Sequence, residues 1–270
     1  MSGRTIGIIS IKGGVGKTTT TANLGAVLAK EFNKKVLMID ANLSGADLGL
    51  HFGILKQQHT INGVLKNKYP IETTIINQAE NLDIIPASLI YTKINPLLLN
   101  EKIQPIKEKY DIILLDGSPN LDDEILSTIL AADDLIIVTS PDHTSLSCAL
   151  HAIRIAQRKN VPVLGLVLNR IKHKSFELTI EELEDASKLP VLAVLPEDVI
   201  VGEALSQTIP VSIYAPKTEI AYEYRKLASL LINKEYKDPR FKKNDIDKMK
   251  TIPKQEINRL LFIQNLKENE

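Results

Sequence analysis

Residues 12–19 read Lys-Gly-Gly-Val-Gly-Lys-Thr-Thr, two lysines and two threonines set among three glycines. Glycines at this density let successive backbone N–H groups turn inward, and such a turn opening a helix is a cradle for phosphate oxygens. In that setting the Lys17 ammonium reaches the β and γ phosphates of a nucleotide, and the Thr18 hydroxyl ligates Mg²⁺. The general pattern G-x-x-x-x-G-K-[ST] asks for glycine where this chain has Ile11. The bland alternative is a glycine-rich turn with a chance lysine. Two further polar clusters carry carboxylates: residues 40–47, with Asp40, Asn42 and Asp47, and residues 116–119, Asp-Gly-Ser-Pro. An apolar strand ending in Asp116 has the form of an element that holds Mg²⁺ through a water, although an aspartate closing a strand is common by itself.

These clusters need a scaffold, and the apolar pattern supplies one. Runs rich in Ile, Val and Leu recur at 5–11, 35–39, 82–85, 111–115, 135–139, 163–168 and 191–194. They read as strands buried on both faces. Between most of them lie helical spacings, such as Leu24, Val27 and Leu28, or Ala149, Ile153 and Ala156. The alternation predicts an α/β fold, a mostly parallel sheet with helices on both faces. Ligands of such sheets gather at the carboxyl ends of strands, where residues 12–19, 40–47 and 116–123 all fall. A last core helix is expected over about 217–232, placing the main domain at 1–233. Residues 234–253 are dense in charge and read as a solvated linker, and 254–270 as a C-terminal helix.

Composition narrows the function. Basic and acidic residues balance at 33 each, so no global field draws the chain to nucleic acid or anionic lipid. A single cysteine, Cys148, excludes an internal disulfide and any metal or iron–sulfur site built from two cysteines of one chain. No apolar run approaches the roughly 20 residues that span a bilayer, which makes the cytoplasm the default compartment.

The run from Lys12 to Thr19 resembles the deviant phosphate loop of the MinD/ParA family of ATPases, which tolerates other residues at the Ile11 position. The resemblance extends over residues 4–233. It implies ATP and Mg²⁺ as ligands, with Lys12, Gly13, Gly14, Val15, Gly16, Lys17, Thr18 and Thr19 around the phosphates. It also implies a homodimer formed with ATP, in which Lys12 crosses to the partner's phosphates as an arginine finger would. Asp40 aligns with the first switch, usually Asp-x-Asp, and would join Thr18 and Asp116 around the metal. Asn42 stands where the second aspartate is usual. An asparagine orients water by hydrogen bonding but does not take its proton, so slow hydrolysis is expected. Asp47 is a possible substitute that spacing alone does not decide. The resemblance assigns Asn169 and Arg170, with the Pro196-Glu197-Asp198 loop, to the adenine base; an ordinary loop asparagine and a helix N-cap at Asp198 are the bland readings.

Within the family the spacing is most similar to MinD-like spatial regulators, which act with a partner that stimulates turnover and touch membrane through a C-terminal helix. Here residues 254–268 are the candidate for peripheral contact at the inner face of the cell membrane. Their apolar residues spread around the helix, so docking on the core or on a partner stays open. A DNA-partitioning ATPase and a nucleotide-binding scaffold with very slow hydrolysis are the alternatives.

Overall fold

Branched apolar side chains fit a pleated surface covered on both sides, and every expected run is a strand. In the computed structural model, which describes residues 3–90, 93–240 and 252–268, the strands are β1 (Arg4–Ile9), β2 (Val36–Asp40), β3 (Ile76–Ala79), β4 (Leu82–Ile85), β5 (Ile112–Asp116), β6 (Asp134–Thr139), β7 (Val163–Ile171) and β8 (Val191–Pro196). They form one sheet in the order β3-β4-β2-β5-β1-β6-β7-β8. All neighbours are parallel except β3 and β4.

The helices are α1 (Lys17–Lys30), α2 (Ile61–Leu65), α3 (Leu99–Lys107), α4 (Asp123–Ala131), α5 (His143–Arg158), α6 (Ile180–Ser187), α7 (Val199–Ser206), α8 (Val211–Tyr214), α9 (Glu219–Leu231) and α10 (Lys254–Glu268). Alternate strand residues feed opposite layers. Ile6, Ile8, Val36, Met38, Ile112 and Leu114 pack in the layer of α1 and α9. Leu37, Ile39, Ile113 and Leu115 pack toward α3, while Ile9, Leu135 and Ile137 pack toward α4 and α5.

Several boundaries differ from the expectation, and one strand is new; β7 and β8 run on to Ile171 and Pro196. β1 stops at Ile9 rather than at residue 11, because residues 10–16 leave the sheet to form the loop. β2 and β5 each run one residue further and take in Asp40 and Asp116. β3 carries no apolar run: it is the outer, half-exposed strand of a hairpin whose turn residue Asn81 adopts φ 60°, a left-handed geometry that asparagine tolerates.

The C-terminal helix docks on the sheet edge. Asn258 Nδ2 donates to the Val191 carbonyl at 2.8 Å and Arg259 Nη1 to the Leu192 carbonyl at 3.1 Å, so two side chains satisfy backbone acceptors of edge strand β8. Arg259 is buried and Phe262 packs against the core, whereas Ile257, Leu260 and Leu261 are 42%, 52% and 52% exposed. The helix therefore holds the protein through Asn258, Arg259 and Phe262 and turns an apolar stripe of Ile257, Leu260 and Leu261 outward. The expected solvated linker is corrected at Asp238, which is tucked against Lys226 of α9 at 3.2 Å with its side chain 6% exposed. Residues 241–251 of that segment lie outside the described residues.

Candidate functional site

β1 lies between β5 and β6, so the loop that leaves it sits over the middle of the sheet. Gly14 has φ 73° and Gly16 φ 97°, both left-handed, and a Cβ at Gly16 would stand 2.2 Å from Asn169 Nδ2. Glycine is required there twice over, by backbone and by space. The first helical bond is Thr20 N–H to Gly16 O at 2.9 Å, and among the described residues the N–H groups of 13–19 donate to no protein group. That leaves a ring of donors at the positive end of α1, free for an anion. Lys17 is buried behind them. Burial lowers its pKa, against the pull of Asp116 and Asp47.

The register between β2 and β5 pairs Asp40 with Asp116, and both are fully buried. Two carboxylates side by side away from water resist ionisation. Burial, then Asp116 and Asp47, raise Asp40 well above the usual carboxylate range, and burial followed by Asp47 pushes Asp116 up to about 7. Asp40 Oδ1 accepts from Asn42 N–H at 3.1 Å and Oδ2 from Leu48 N–H at 3.2 Å, so this carboxylate ties down both ends of the loop that follows β2. Asp116 Oδ1 accepts the Thr21 hydroxyl at 3.1 Å while its buried Oδ2 has no partner. Thr18 Oγ1 donates to Asp47 Oδ1 at 3.0 Å.

Asn42 divides its amide between its own loop and an open acceptor. Its Nδ2 donates to Gly45 O at 2.5 Å, closing the loop on itself, and its buried Oδ1 has no hydrogen-bond partner. Lys12 does not stand free at the surface either. Its Nζ is 3.0 Å from Asp142 Oδ1 and 2.8 Å from Ser145 Oγ, at the N-terminus of α5. Nothing in the spacing pairs residue 12 with 142; the sheet does, by setting the ends of β1 and β6 side by side.

The residues expected at a base converge. A cavity of about 330 Å³ beside the loop is lined by Gly16 and Thr19 on one side and by Asn169, Arg170, Pro196, Glu197 and Asp198 on the other. Its apolar wall, Val201, Leu205 and Ile220, comes from α7 and α9, whose contribution the sequence reading did not foresee. Asn169 Nδ2 donates to Val15 O at 2.7 Å and its Oδ1 accepts from Arg170 N–H at 2.9 Å. One end of the amide thus fastens the phosphate loop to β7, leaving a second N–H and a second lone pair toward the cavity. Arg170 holds φ 62°, an uncommon geometry for a non-glycine residue and one that concentrates at ligand sites. Asp198 also caps α7, accepting from Ile200 N–H at 3.0 Å, so the bland reading of that residue holds alongside its place in the wall.

Comparison with known proteins agrees with this geometry. A family model described as an AAA domain matches residues 3–163, and one described as 4Fe-4S iron sulfur cluster binding proteins of the NifH/frxC family matches residues 125–255. The second match carries no cluster chemistry here, since one cysteine supplies one thiolate. An uncharacterized ATP-binding protein of Methanocaldococcus jannaschii is 35% identical over 243 residues, 89% of this chain and 92% of that one. The septum site-determining protein MinD of Synechocystis is 31% identical, over 72% of this chain and 76% of its own length. Among solved structures, the septum site-determining protein MinD complexed with Mg-ADP from Pyrococcus horikoshii OT3 superposes with a TM-score of 0.80 at 34% identity, covering 84% of this chain and 95% of the other. No helix among the described residues is long and apolar enough to cross a membrane. A loop of free N–H groups over a buried lysine, carboxylates at adjacent strand ends and relatives at this level of identity lead to one statement: the chain belongs to the MinD/ParA family of P-loop ATPases.

Proposed function

We propose that the chain is an ATP-dependent dimerising switch, a spatial regulator of the MinD kind that hydrolyses ATP slowly until a protein partner stimulates it. The observation that carries this reading is the meeting of Lys17, Thr18, Asp40 and Asp116 beneath a loop whose donors point at no protein group. Those donors and Lys17 would bind the phosphates, and the cavity walled by Asn169, Arg170 and residues 196–198 would take the base. Mg²⁺ fits the acidic side of the site. Asp116 Oδ2 is buried without a partner, and two carboxylates crowd each other in a way a divalent cation would relieve. Among the described residues no three His, Cys, Asp or Glu side chains close on one point, which suits an ion that keeps waters and phosphate oxygens in its shell. When bound, the ion neutralises charge on the phosphates.

Catalysis by this chain rests on position and field. Lys17 and the loop N–H groups stabilise charge on the transferred phosphoryl group, and Lys12 of a second copy would add a cation from across the dimer. The MinD relatives support the regulator reading, and the solved MinC:MinD cell division protein complex of Aquifex aeolicus, 26% identical, supports a protein partner. The outward stripe of α10 is the surface we assign to peripheral contact with lipid. Leu260→Glu combined with Leu261→Glu should abolish co-sedimentation with anionic liposomes in ATP; sedimentation equal to wild type removes that assignment.

The switch is tested by molar mass in solution and phosphate release. With ATP and Mg²⁺ the chain should double in mass, with ADP it should not, and Lys12→Ala should lose both the dimer and at least about tenfold in turnover. A monomer under both nucleotides would leave a nucleotide-binding scaffold and remove the trans role of Lys12.

A further inference from the structure

Three carboxylates stand on the Lys17–Thr18 side of the phosphate loop, and their hydrogen bonds divide the work among them. Asp40 spends one oxygen on Asn42 N–H and the other on Leu48 N–H. Asp116 Oδ1 receives the Thr21 hydroxyl. Asn42, where a carboxylate is usual, gives its amide to Gly45 O. Asp47 accepts from Thr18, the hydroxyl next to the lysine of the loop, at 3.0 Å, and the same hydroxyl also bears on Asp116. Its other oxygen, Oδ2, accepts no hydrogen bond among the described residues.

Asp47 is also held from behind. Its carbonyl accepts Leu50 N–H at 3.0 Å and lies 3.1 Å from His51 Nδ1, while His51 Nε2 lies 3.4 Å from Thr19 Oγ1. The short turn that starts at Asp47 is therefore joined to the first turn of α1 at two consecutive threonines.

We propose that Asp47 is a positioning residue of the metal site: by accepting the Thr18 proton it fixes the hydroxyl so that both lone pairs of Oγ1 face a Mg²⁺ ion bound with nucleotide. A hydroxyl has one hydrogen and two lone pairs, and free rotation spreads all three. A carboxylate that takes the hydrogen selects one rotamer, as carboxylates do for metal-bound histidines. The second carboxylate of this loop thus stands at position 47, and it serves the ion rather than the attacking water. The proposal rests on the reading of the loop as a Mg²⁺–nucleotide site.

The test uses the full chain, a fluorescent ADP analogue and no turnover. Affinity for the analogue is measured in EDTA and across a MgCl₂ titration for wild type, Asp47→Ala and Asp47→Asn. Asp47→Ala should need at least about tenfold more Mg²⁺ for half-maximal enhancement of binding, the usual cost of losing such an outer partner. Its affinity in EDTA should stay within about twofold of wild type, which also shows that the loop is folded. Asp47→Asn, whose amide oxygen still accepts from Thr18, should fall between the two. An unchanged Mg²⁺ requirement in Asp47→Ala overturns the proposal, and so does an equal loss with and without Mg²⁺, which would mark a purely structural contact. Wild-type protein that binds no analogue under either condition overturns the nucleotide reading itself.

Discussion

The molecule buries two clusters of charge, and they are built on opposite plans. At the ends of β2 and β5, the carboxylates of Asp40, Asp116 and Asp47 face one buried cation, Lys17, and an oxygen of Asp116 has no partner. Beside β8, acids and bases alternate. Lys226 meets Glu223, Asp238 and Glu256; Arg259 meets Glu223 at 3.0 Å and Glu256 at 2.9 Å; Arg240 meets Asp238 at 2.5 Å. The carboxyl groups report the contrast. Burial and neighbouring carboxylates push Asp116 up to about 7, whereas Asp238, which burial alone would raise, is held at about 2 by hydrogen bonds from Arg240 and the charge of Lys226. A cluster that satisfies itself fixes structure, here the docking of α10. One that does not is poised for a ligand that brings the missing positive charge.

The sharpest way to break this comparison is to unbalance the satisfied cluster. Arg259→Met leaves Glu223 buried without that cation and removes the donor to the Leu192 carbonyl. Stranding one member of a buried pair costs about 3–5 kcal/mol, and the loss should appear as detachment of α10, read as faster amide exchange across residues 254–265. Pairing it with Glu223→Gln should restore part of that protection, because the stranded charge is gone. Exchange that is unchanged in Arg259→Met would mean that Phe262 and its apolar contacts, not the ion network, hold the helix.

The uneven cluster was the more legible of the two in the sequence, and the reason is physical. Phosphate chemistry demands particular residues at fixed spacing, so Lys17, Thr18, Asp40 and Asp116 announce themselves, and alternating apolar runs place them at strand ends. The satisfied cluster joins Glu223 and Lys226 of α9 to Glu256 and Arg259, with 30 positions separating Lys226 from Glu256 in sequence, and no local pattern encodes that meeting. Hydropathy leaves α10 undecided, since its apolar residues lie on both sides, Phe262 against the core and Ile257, Leu260 and Leu261 outward. Lys12 and Asp142 are distant in sequence for the same reason that Asn42 and Asp47 are ambiguous: which side chain turns inward depends on the closed loop. β3 was invisible because a short edge strand needs only hydrogen bonds from its neighbour.

Acidity gives the next contrast, of order 3 kcal/mol. In protein free of Mg²⁺ and nucleotide, Asp116 titrates near 7 when folded and near 3.8 when not. Between those values the folded state holds more protons, so stability should fall as pH rises from about 4 to about 7. Asp238 acts with the opposite sign: its folded value lies below its unfolded one, so its contribution is present above pH 4 and is lost as pH falls toward 2. Urea midpoints from pH 4.5 to 7.5 should decline for wild type and decline less steeply in Asp116→Asn, where Asp40 still contributes with the same sign. A decline of the same slope in that variant would place the titrating group elsewhere than at Asp116.

The smallest effect concerns the contact that lies between the two plans, Lys12 on Asp142. Its side chains are 33% and 45% exposed, so the pair contributes at most about 1 kcal/mol. That is still enough to compete with a second copy for the Lys12 ammonium. Asp142 also caps α5, accepting from Ser145 N–H at 2.9 Å, and asparagine keeps the cap while removing the charge. Asp142→Asn should therefore leave the urea midpoint within experimental error of wild type. If Lys12 must leave this contact to reach a partner's phosphates, the same variant should tighten ATP-dependent dimerisation by a few-fold in sedimentation velocity, as expected from releasing about 1 kcal/mol. A dimer constant identical to wild type would show that the contact imposes no cost on Lys12.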